Sequence, residues 1–144
     1  MFIGFKGKLL ISFIIVFFHE LIHYLAARHL GFTGFDIEIL PIGTVLILKD
    51  IDEATPMEDL MISLSAPIVN LLLAAIFYKF HMKYPIDLYY LLFQCNFVIG
   101  IFNLIPAYPL DGGRILRDLI NFRCIYKIAN KITVYISIGI GSLL

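Results

Sequence analysis

The sequence predicts a polytopic α-helical membrane protein, with three to four transmembrane helices, one of them broken, and a small membrane-associated β-hairpin. The first observation is composition: 60% of the 144 residues are hydrophobic, whereas soluble domains have about half. Mean hydropathy is +0.92, and only 15% of the residues are charged. The second observation is that the apolar residues fall in long runs. A chain of this length is expected to form one domain, residues 1–144.

Several classes of protein are disfavoured by charge and cysteine content. The formal net charge is zero, so no polybasic surface points to nucleic acid. The two cysteines, Cys95 and Cys124, lie in an apolar run and a basic segment, which disfavours a disulfide framework. Lys6 and Lys8 before an apolar core are typical of a signal peptide, but no small-residue cleavage site follows. We therefore expect a retained span.

The apolar runs predict the spans in chain order. A span needs about 20 apolar residues, so the last run, only 13 residues long, is expected to be a partial or interfacial helix. The second run follows a helix start, because Thr55 and Glu58 have the spacing of a capping box. Glycines, at 31 and 34, end the first run. The expected spans are about 9–30, 60–80, 87–118 and, as the partial helix, 132–144.

The segment between the first two spans predicts the β-hairpin, at about 35–48. Residues Phe35–Leu40 alternate between apolar and polar side chains, as a half-buried strand does. Pro41 and Gly43 predict a turn, and residues 44–48 predict the second strand. The acidic stretch 50–59 is expected to be a solvated loop.

The third span is expected to be broken by Pro106, Pro109 and the pair Gly112 and Gly113. A broken helix at membrane depth requires protein or a water-filled cavity around its freed backbone. A basic loop is expected after it. With three spans, four basic residues lie on the side of the N-terminus and seven on the other, which favours the second side as cytoplasmic. Those seven are Arg28, Lys49, Arg114, Arg117, Arg123, Lys127 and Lys131.

The chemistry is carried by His19, Glu20 and His23, which lie inside the first span. Histidines four residues apart share one helix face and can bind one Zn²⁺. Glu20 is then positioned to handle protons on a metal-bound water. Catalytic zinc sites use three protein ligands, and Asp111 in the broken helix is the carboxylate at matching depth. The same ligands also suit iron, cobalt or manganese.

Together these motifs resemble the site-2 proteases, which are intramembrane zinc metalloproteases. The resemblance rests on the His19–His23 motif followed by the stretch from Asn103 to Gly112, with Pro106, Leu110 and Asp111 at the family's positions. Residues 65–70, Ser-Ala-Pro-Ile-Val-Asn, are similar to a further family segment. Residues 40–45 resemble the sporulation branch, the stage IV sporulation protein FB type.

The resemblance implies roles for individual residues. His19, His23 and Asp111 would be the metal ligands, Glu20 the general base, and Asn103 a polar group near the scissile carbonyl. Asn70 and Asn103 are candidates to line a water channel or to donate to the oxyanion. The hairpin would pair with an unwound substrate, because strand addition satisfies backbone groups that a helix releases as it unwinds.

The expected function is zinc-dependent hydrolysis of a peptide bond in or near the membrane segment of a protein substrate, with the active site toward the cytoplasm. By resemblance, a sigma-factor precursor is one candidate substrate, and membrane regulatory partners are expected. Two alternatives remain: an inactive homologue that binds substrates, and a metal-permeation protein. A permeation protein should carry ligands along a path, whereas here they converge at one depth.

Overall fold

A computed structural model of the chain describes residues 5–33, 35–40, 43–48 and 54–142, with side chains described for 7–33 and 54–142. The described elements, in chain order, are α1 (Phe5–His29), β1 (Phe35–Leu40), β2 (Gly43–Leu48), α2 (Pro56–Lys83), α3 (Asp87–Asn103), α4 (Asp111–Asn121) and α5 (Tyr126–Gly141). Helix α2 contacts α1, α3 and α4, while α5 packs on α4. Helix α2 is therefore the central element.

Helix α1 ends through a glycine, close to the position that the sequence predicts. Gly31 has a φ of +96°, a left-handed conformation that costs glycine little. Its N–H donates to the Arg28 carbonyl at 3.1 Å, and the Phe32 N–H donates to the Ala27 carbonyl at 3.1 Å. This is the bonding pattern of a Schellman cap, which satisfies the last carbonyls of a helix.

Helix α2 begins with the capping box that the sequence predicts. The Glu58 N–H donates to Thr55 Oγ1 at 3.3 Å, and the Thr55 N–H donates to Glu58 Oε2 at 2.8 Å. Two N–H groups that the first helical turn leaves unpaired are thereby satisfied. The prediction of a helix start at Thr55 is confirmed.

Strands β1 and β2 pair antiparallel in the register Phe35 with Leu48 through Leu40 with Gly43. Strand β2 also lies against α1. The expected turn at Pro41 and the acidic stretch 50–53 lie outside the described residues. Asp59, expected in a solvated loop, lies instead in α2 and is only 6% exposed, because basic side chains of α4 pair with it.

The segment predicted as a broken third span, residues 87–118, forms two helices, α3 and α4, with a break between them. Helix α3 has 17 residues, about 26 Å at 1.5 Å per residue, and is short for a bilayer core of about 30 Å. The chain leaves the helix at Leu104 and re-enters one at Asp111. Pro106 and Pro109 lie in the break, as predicted. Gly112 and Gly113 do not break the helix but lie in the first turn of α4.

The predicted basic loop is wrong for four of its five residues, and only Arg123 lies between two helices. Arg114 and Arg117 lie in α4, and Lys127 and Lys131 lie in α5. Helix α4 is amphipathic, with apolar residues at 115, 116, 119 and 120, which is the spacing of one helix face. Helix α5 begins at Tyr126 and has 16 residues, so it includes most of the apolar run 132–144 but starts earlier.

Packing within the described residues is inverted relative to a soluble protein. Apart from Ile62, the most buried side chains are small or polar, including Ser63, Asn70, Asp118 and Thr133. Large apolar side chains on the helices are exposed, among them Leu10, Phe13, Phe17, Leu72, Val98 and Ile138. Small and polar residues between helices, with apolar residues outside, are typical of membrane helix packing.

Two of the described helices are long and apolar enough to cross a membrane, Gly7–His29 and Pro56–Lys83. They correspond to the first two predicted spans. Their length, with the apolar exterior, indicates a membrane protein.

Candidate metal centre

His19, His23 and Asp111 come together although they are distant in the chain. His19 Nε2 lies 3.1 Å from Asp111 Oδ2, and His23 Nε2 lies 3.1 Å from the same oxygen. One potential ligand atom from each residue lies within 4.8 Å of the others. The histidines are 3% and 7% exposed. The structure thus assembles the three predicted ligands in one protected place.

The Nδ1 atom of each histidine, on the side away from Asp111, is hydrogen-bonded to a group of α2. His19 Nδ1 lies 2.8 Å from Asn70 Oδ1, and His23 Nδ1 lies 2.8 Å from the Ile62 carbonyl. The carbonyl can only accept, so His23 donates from Nδ1 and keeps its Nε2 lone pair for the centre. Partners of this kind fix the tautomer and orientation of metal-ligating histidines.

Pro67 lies inside α2, close to the carbonyl that His23 uses. Proline lacks the N–H that would bond to the carbonyl four residues before it, that of Ser63, and its ring crowds that carbonyl. The helix ladder is therefore interrupted beside Ile62. The Ile62 carbonyl also accepts from Ser65 Oγ at 2.6 Å, so two side chains donate to it.

The arrangement fits a bound cation. With both Nδ1 atoms donating outward, each Nε2 lone pair lies 3.1 Å from the same carboxylate oxygen. A proton or a metal cation between them relieves the repulsion of these acceptors. Two imidazoles and one carboxylate are the ligand types of several catalytic zinc sites. The donor set is therefore suited to Zn²⁺.

Asp111 reaches the histidines because the chain break folds tightly onto the start of α4. A Cβ at Gly112 would lie 2.2 Å from the Ile105 carbonyl oxygen, and a Cβ at Gly113 would lie 2.7 Å from the Tyr108 nitrogen. Both contacts are with backbone that has little room to move. Glycine is thus required at both positions, and the close approach places the Asp111 carboxylate beside α1.

A cluster of ion pairs joins α4 to the start of α2. Arg114 and Arg117 each bond one oxygen of Asp59, and Arg117 Nε donates to Asp118 Oδ1 at 2.8 Å. Asp118 is 1% exposed. Buried charges are costly unless they are paired, so the pairing determines how α4 lies on α2. Asp111 lies one turn before Arg114 on the same helix, and its position depends on this contact.

Glu20 lies beside the histidines and is half-buried. Its carboxylate interacts electrostatically with His19, His23 and Asp111. No hydrogen bond to a described side chain engages it. A carboxylate next to the metal ligands can accept a proton from a water molecule there.

The two predicted asparagines have different positions. Asn70 is 2% exposed and contacts His19 directly, so its oxygen supports the imidazole of His19. Asn103 lies at the end of α3, and its Nδ2 donates to the Ile99 carbonyl at 3.0 Å within the same helix. Among the described hydrogen bonds, none connects Asn103 to the histidines or Asp111.

Two further residues of the site carry little recognisable sequence signal. Asn96 accepts from Asn70 Nδ2 at 2.9 Å, and Asp59 binds the arginines of α4. Asn96 is a polar residue inside an apolar run, which marks an unusual position but not its partner. Asp59 follows an acidic stretch in the sequence, so the sequence does not distinguish it from a solvent-exposed acidic residue.

Comparisons with known proteins agree with this geometry. A model of peptidase family M50 matches residues 8–85 and 79–144. Zinc metalloprotease MJ0392 of Methanocaldococcus jannaschii is 35% identical over 88% of this chain. Rip3 of Mycobacterium tuberculosis is 31% identical over 69% of it. A solved structure, a site-2 protease from Methanocaldococcus jannaschii, is 32% identical, covers 90% of this chain and has a TM-score of 0.71.

The relatives are longer than this chain. The chain spans 38% of MJ0392, 27% of Rip3 and 61% of the solved site-2 protease. The similarity therefore concerns the helical region that carries the metal centre. The predicted resemblance is confirmed at the level of the family.

Proposed function

The chain belongs to peptidase family M50, and we propose that it is a zinc metalloprotease that hydrolyses a peptide bond in or near the membrane segment of a protein substrate. The observation that carries the proposal is the convergence of His19, His23 and Asp111 within 4.8 Å, inside a chain with an apolar exterior. A hydrolytic site at such a location acts on substrates that the membrane presents.

Each residue of the proposed site has one task. His19, His23 and Asp111 hold the metal, with Asn70 and the Ile62 carbonyl fixing the imidazoles. A bound Zn²⁺ would supply Lewis acidity, which makes water nucleophilic near neutral pH and polarises the scissile carbonyl. Glu20 accepts the proton of the attacking water and delivers it to the leaving amine. Asn103 stays a predicted helper, with its second Nδ2 hydrogen as the donor to the developing oxyanion.

The architecture supports a multi-pass arrangement with the site toward the cytoplasm. Arg114 and Arg117 bind Asp59 at the start of α2, and Arg28 lies at the end of α1. These three arginines lie at the end of the helices where α1 finishes and α2 begins. An excess of positive charge favours the cytoplasmic side. We propose α3 as a third span and α5 as a partial one.

The hairpin is the proposed contact for the substrate. Strand β2 lies against α1, which carries two of the three ligands. A transmembrane helix has all of its backbone groups paired, so it must unwind before it can be cleaved. Pairing of the released strand with an edge of the hairpin would replace the lost hydrogen bonds.

Finer assignments rest on sequence resemblance. Residues 40–45 are the basis for proposing the sporulation branch and, with it, a sigma-factor precursor as substrate and membrane regulatory partners. The metal centre itself does not distinguish between substrates, because it acts on the peptide bond common to all proteins.

The test is to compare wild type with Glu20→Gln on a co-expressed membrane-protein substrate. The variant should keep one zinc per chain and lose cleavage by about 10²- to 10⁴-fold, the usual contribution of a general base. Glu58→Gln is the matched control, because glutamine preserves the capping box of α2 and the described hydrogen bonds of Glu58 join it to Thr55. It should cleave as wild type does.

The outcomes also separate the alternatives. Undiminished cleavage by Glu20→Gln would show that another group moves the proton. Zinc binding without cleavage of any substrate by wild type would favour an inactive, substrate-binding homologue. Zinc flux into sealed vesicles would favour a permeation protein.

A further inference from the structure

The hydrogen bonds behind His19 continue to a backbone carbonyl on α3. His19 Nδ1 lies 2.8 Å from Asn70 Oδ1, and Asn70 Nδ2 donates to Asn96 Oδ1 at 2.9 Å. Asn96 Nδ2 then donates to the Leu92 carbonyl at 2.8 Å. Both asparagines are 2% exposed. Three helices are therefore connected by one short chain of hydrogen bonds.

The donor and acceptor roles in this series of hydrogen bonds are fixed by the Leu92 carbonyl at its end. A backbone carbonyl can only accept, so Asn96 must turn its NH₂ group to Leu92 and its oxygen to Asn70. Asn70 must then donate to Asn96, which leaves its own oxygen facing His19. Because that oxygen only accepts, His19 must donate from Nδ1. Its Nε2 lone pair is thereby directed to the metal centre.

We propose that Asn96 is a positioning residue of the metal centre, which fixes the orientation of the Asn70 amide and through it the tautomer of His19. The inference rests on the proposed zinc site and extends it by one residue that touches no ligand. Without the Asn96 oxygen, the Asn70 amide can turn over and offer NH₂ to His19. That orientation competes with the one that leaves Nε2 free for zinc.

The packing of α3 on α2 supports this role. A Cβ at Gly100 would lie 3.0 Å from Leu71 Cγ and 3.3 Å from Asn70 Cβ, so the two helices approach closely there. Asn96 lies four residues earlier, on the same face of α3. With both amides buried among helices, no solvent replaces a lost partner, and the loss of one acceptor is costly.

The experiment measures zinc affinity by chelator competition, in the full chain solubilised in detergent. Asn96→Leu, close in size but without an acceptor, should bind zinc about 10-fold more weakly, at the lower end of the range for outer partners of metal ligands. Asn96→Asp, protonated because it is buried, keeps an oxygen facing Asn70 and an O–H for the Leu92 carbonyl, and should remain within about 3-fold of wild type. Gln94→Leu, at an exposed site on the same helix, is the control and should be unchanged.

A double-mutant cycle distinguishes positioning from general destabilisation. If Asn96 acts through Asn70, Asn96→Leu should change zinc affinity less than about 2-fold in an Asn70→Leu background. An equal loss in both backgrounds, or no loss in wild type, would overturn the proposal. Asn96→Ala replaces the leucine variant if that variant is not monodisperse, under the same criteria. Absence of zinc binding by wild type would instead contradict the proposed function.

Discussion

The two histidines of the metal centre are supported in different ways by the same helix. His19 is hydrogen-bonded to a side chain, that of Asn70, which is in turn hydrogen-bonded to Asn96. His23 is hydrogen-bonded to the backbone carbonyl of Ile62. A side chain can be replaced by mutation, whereas a carbonyl stays whatever residue carries it. The site thus has one histidine whose orientation depends on residue identity and one whose orientation depends mainly on the path of α2.

The largest effect is expected where the two histidines meet, at Asp111. Asp111→Asn removes the negative charge that faces both Nε2 atoms, so it should weaken zinc binding by more than about 100-fold, beyond the range of outer partners. Zinc stoichiometry and chelator competition measure the change. Full stoichiometry with unchanged affinity would mean that the third ligand lies elsewhere.

An intermediate effect should separate the two supports. Asn70→Leu removes the acceptor of His19 and should lower zinc affinity by about 10- to 100-fold. Ile62→Val keeps the carbonyl of His23 and should leave zinc affinity within about 2-fold, while costing about 1 kcal/mol of stability from the lost methylene. Chelator competition and thermal unfolding of the metal-free protein distinguish these results. Equal losses of affinity would contradict the comparison.

The smallest effect is expected from Ser65→Ala. Ser65 Oγ shares the Ile62 carbonyl with His23, but that oxygen has two lone pairs, and the bond to His23 remains. Zinc affinity, measured in the same competition assay, should change by less than about 2-fold. A loss above 5-fold would show that the hydroxyl also helps to orient the carbonyl.

The parts of the fold that could be predicted are those coded locally. The apolar runs indicate α1 and α2, Thr55 and Glu58 indicate the start of α2, and the prolines indicate the break before Asp111. Helix α4 is missed as a helix because its charged residues obscure an apolar stripe on the opposite face. The same residues predict a loop when hydropathy alone is considered.

The candidate site shows a similar division. The spacing of His19 and His23 is a local signal, and Asp111 is the carboxylate that fits their depth. Asn96 has no such signal, because its partner Asn70 lies 26 residues away and the contact exists only after α2 and α3 have packed. The pairing of Asp59 likewise depends on arginines of α4, which come later in the chain. Residues that orient the proposed ligands, and do not bind metal themselves, could therefore be identified only from the folded structure.

The central place of α2 has a consequence for biogenesis. It provides the Asn70 and Ile62 groups that aim the histidines and the Asp59 carboxylate that holds α4. As the chain is synthesised, α1 enters the bilayer with two histidines that nothing yet orients, and the third ligand follows only after α3. Tight metal uptake must therefore wait until four helices have assembled. Metal occupancy would report on completed insertion, and a chain stalled before residue 111 would stay inactive in the membrane.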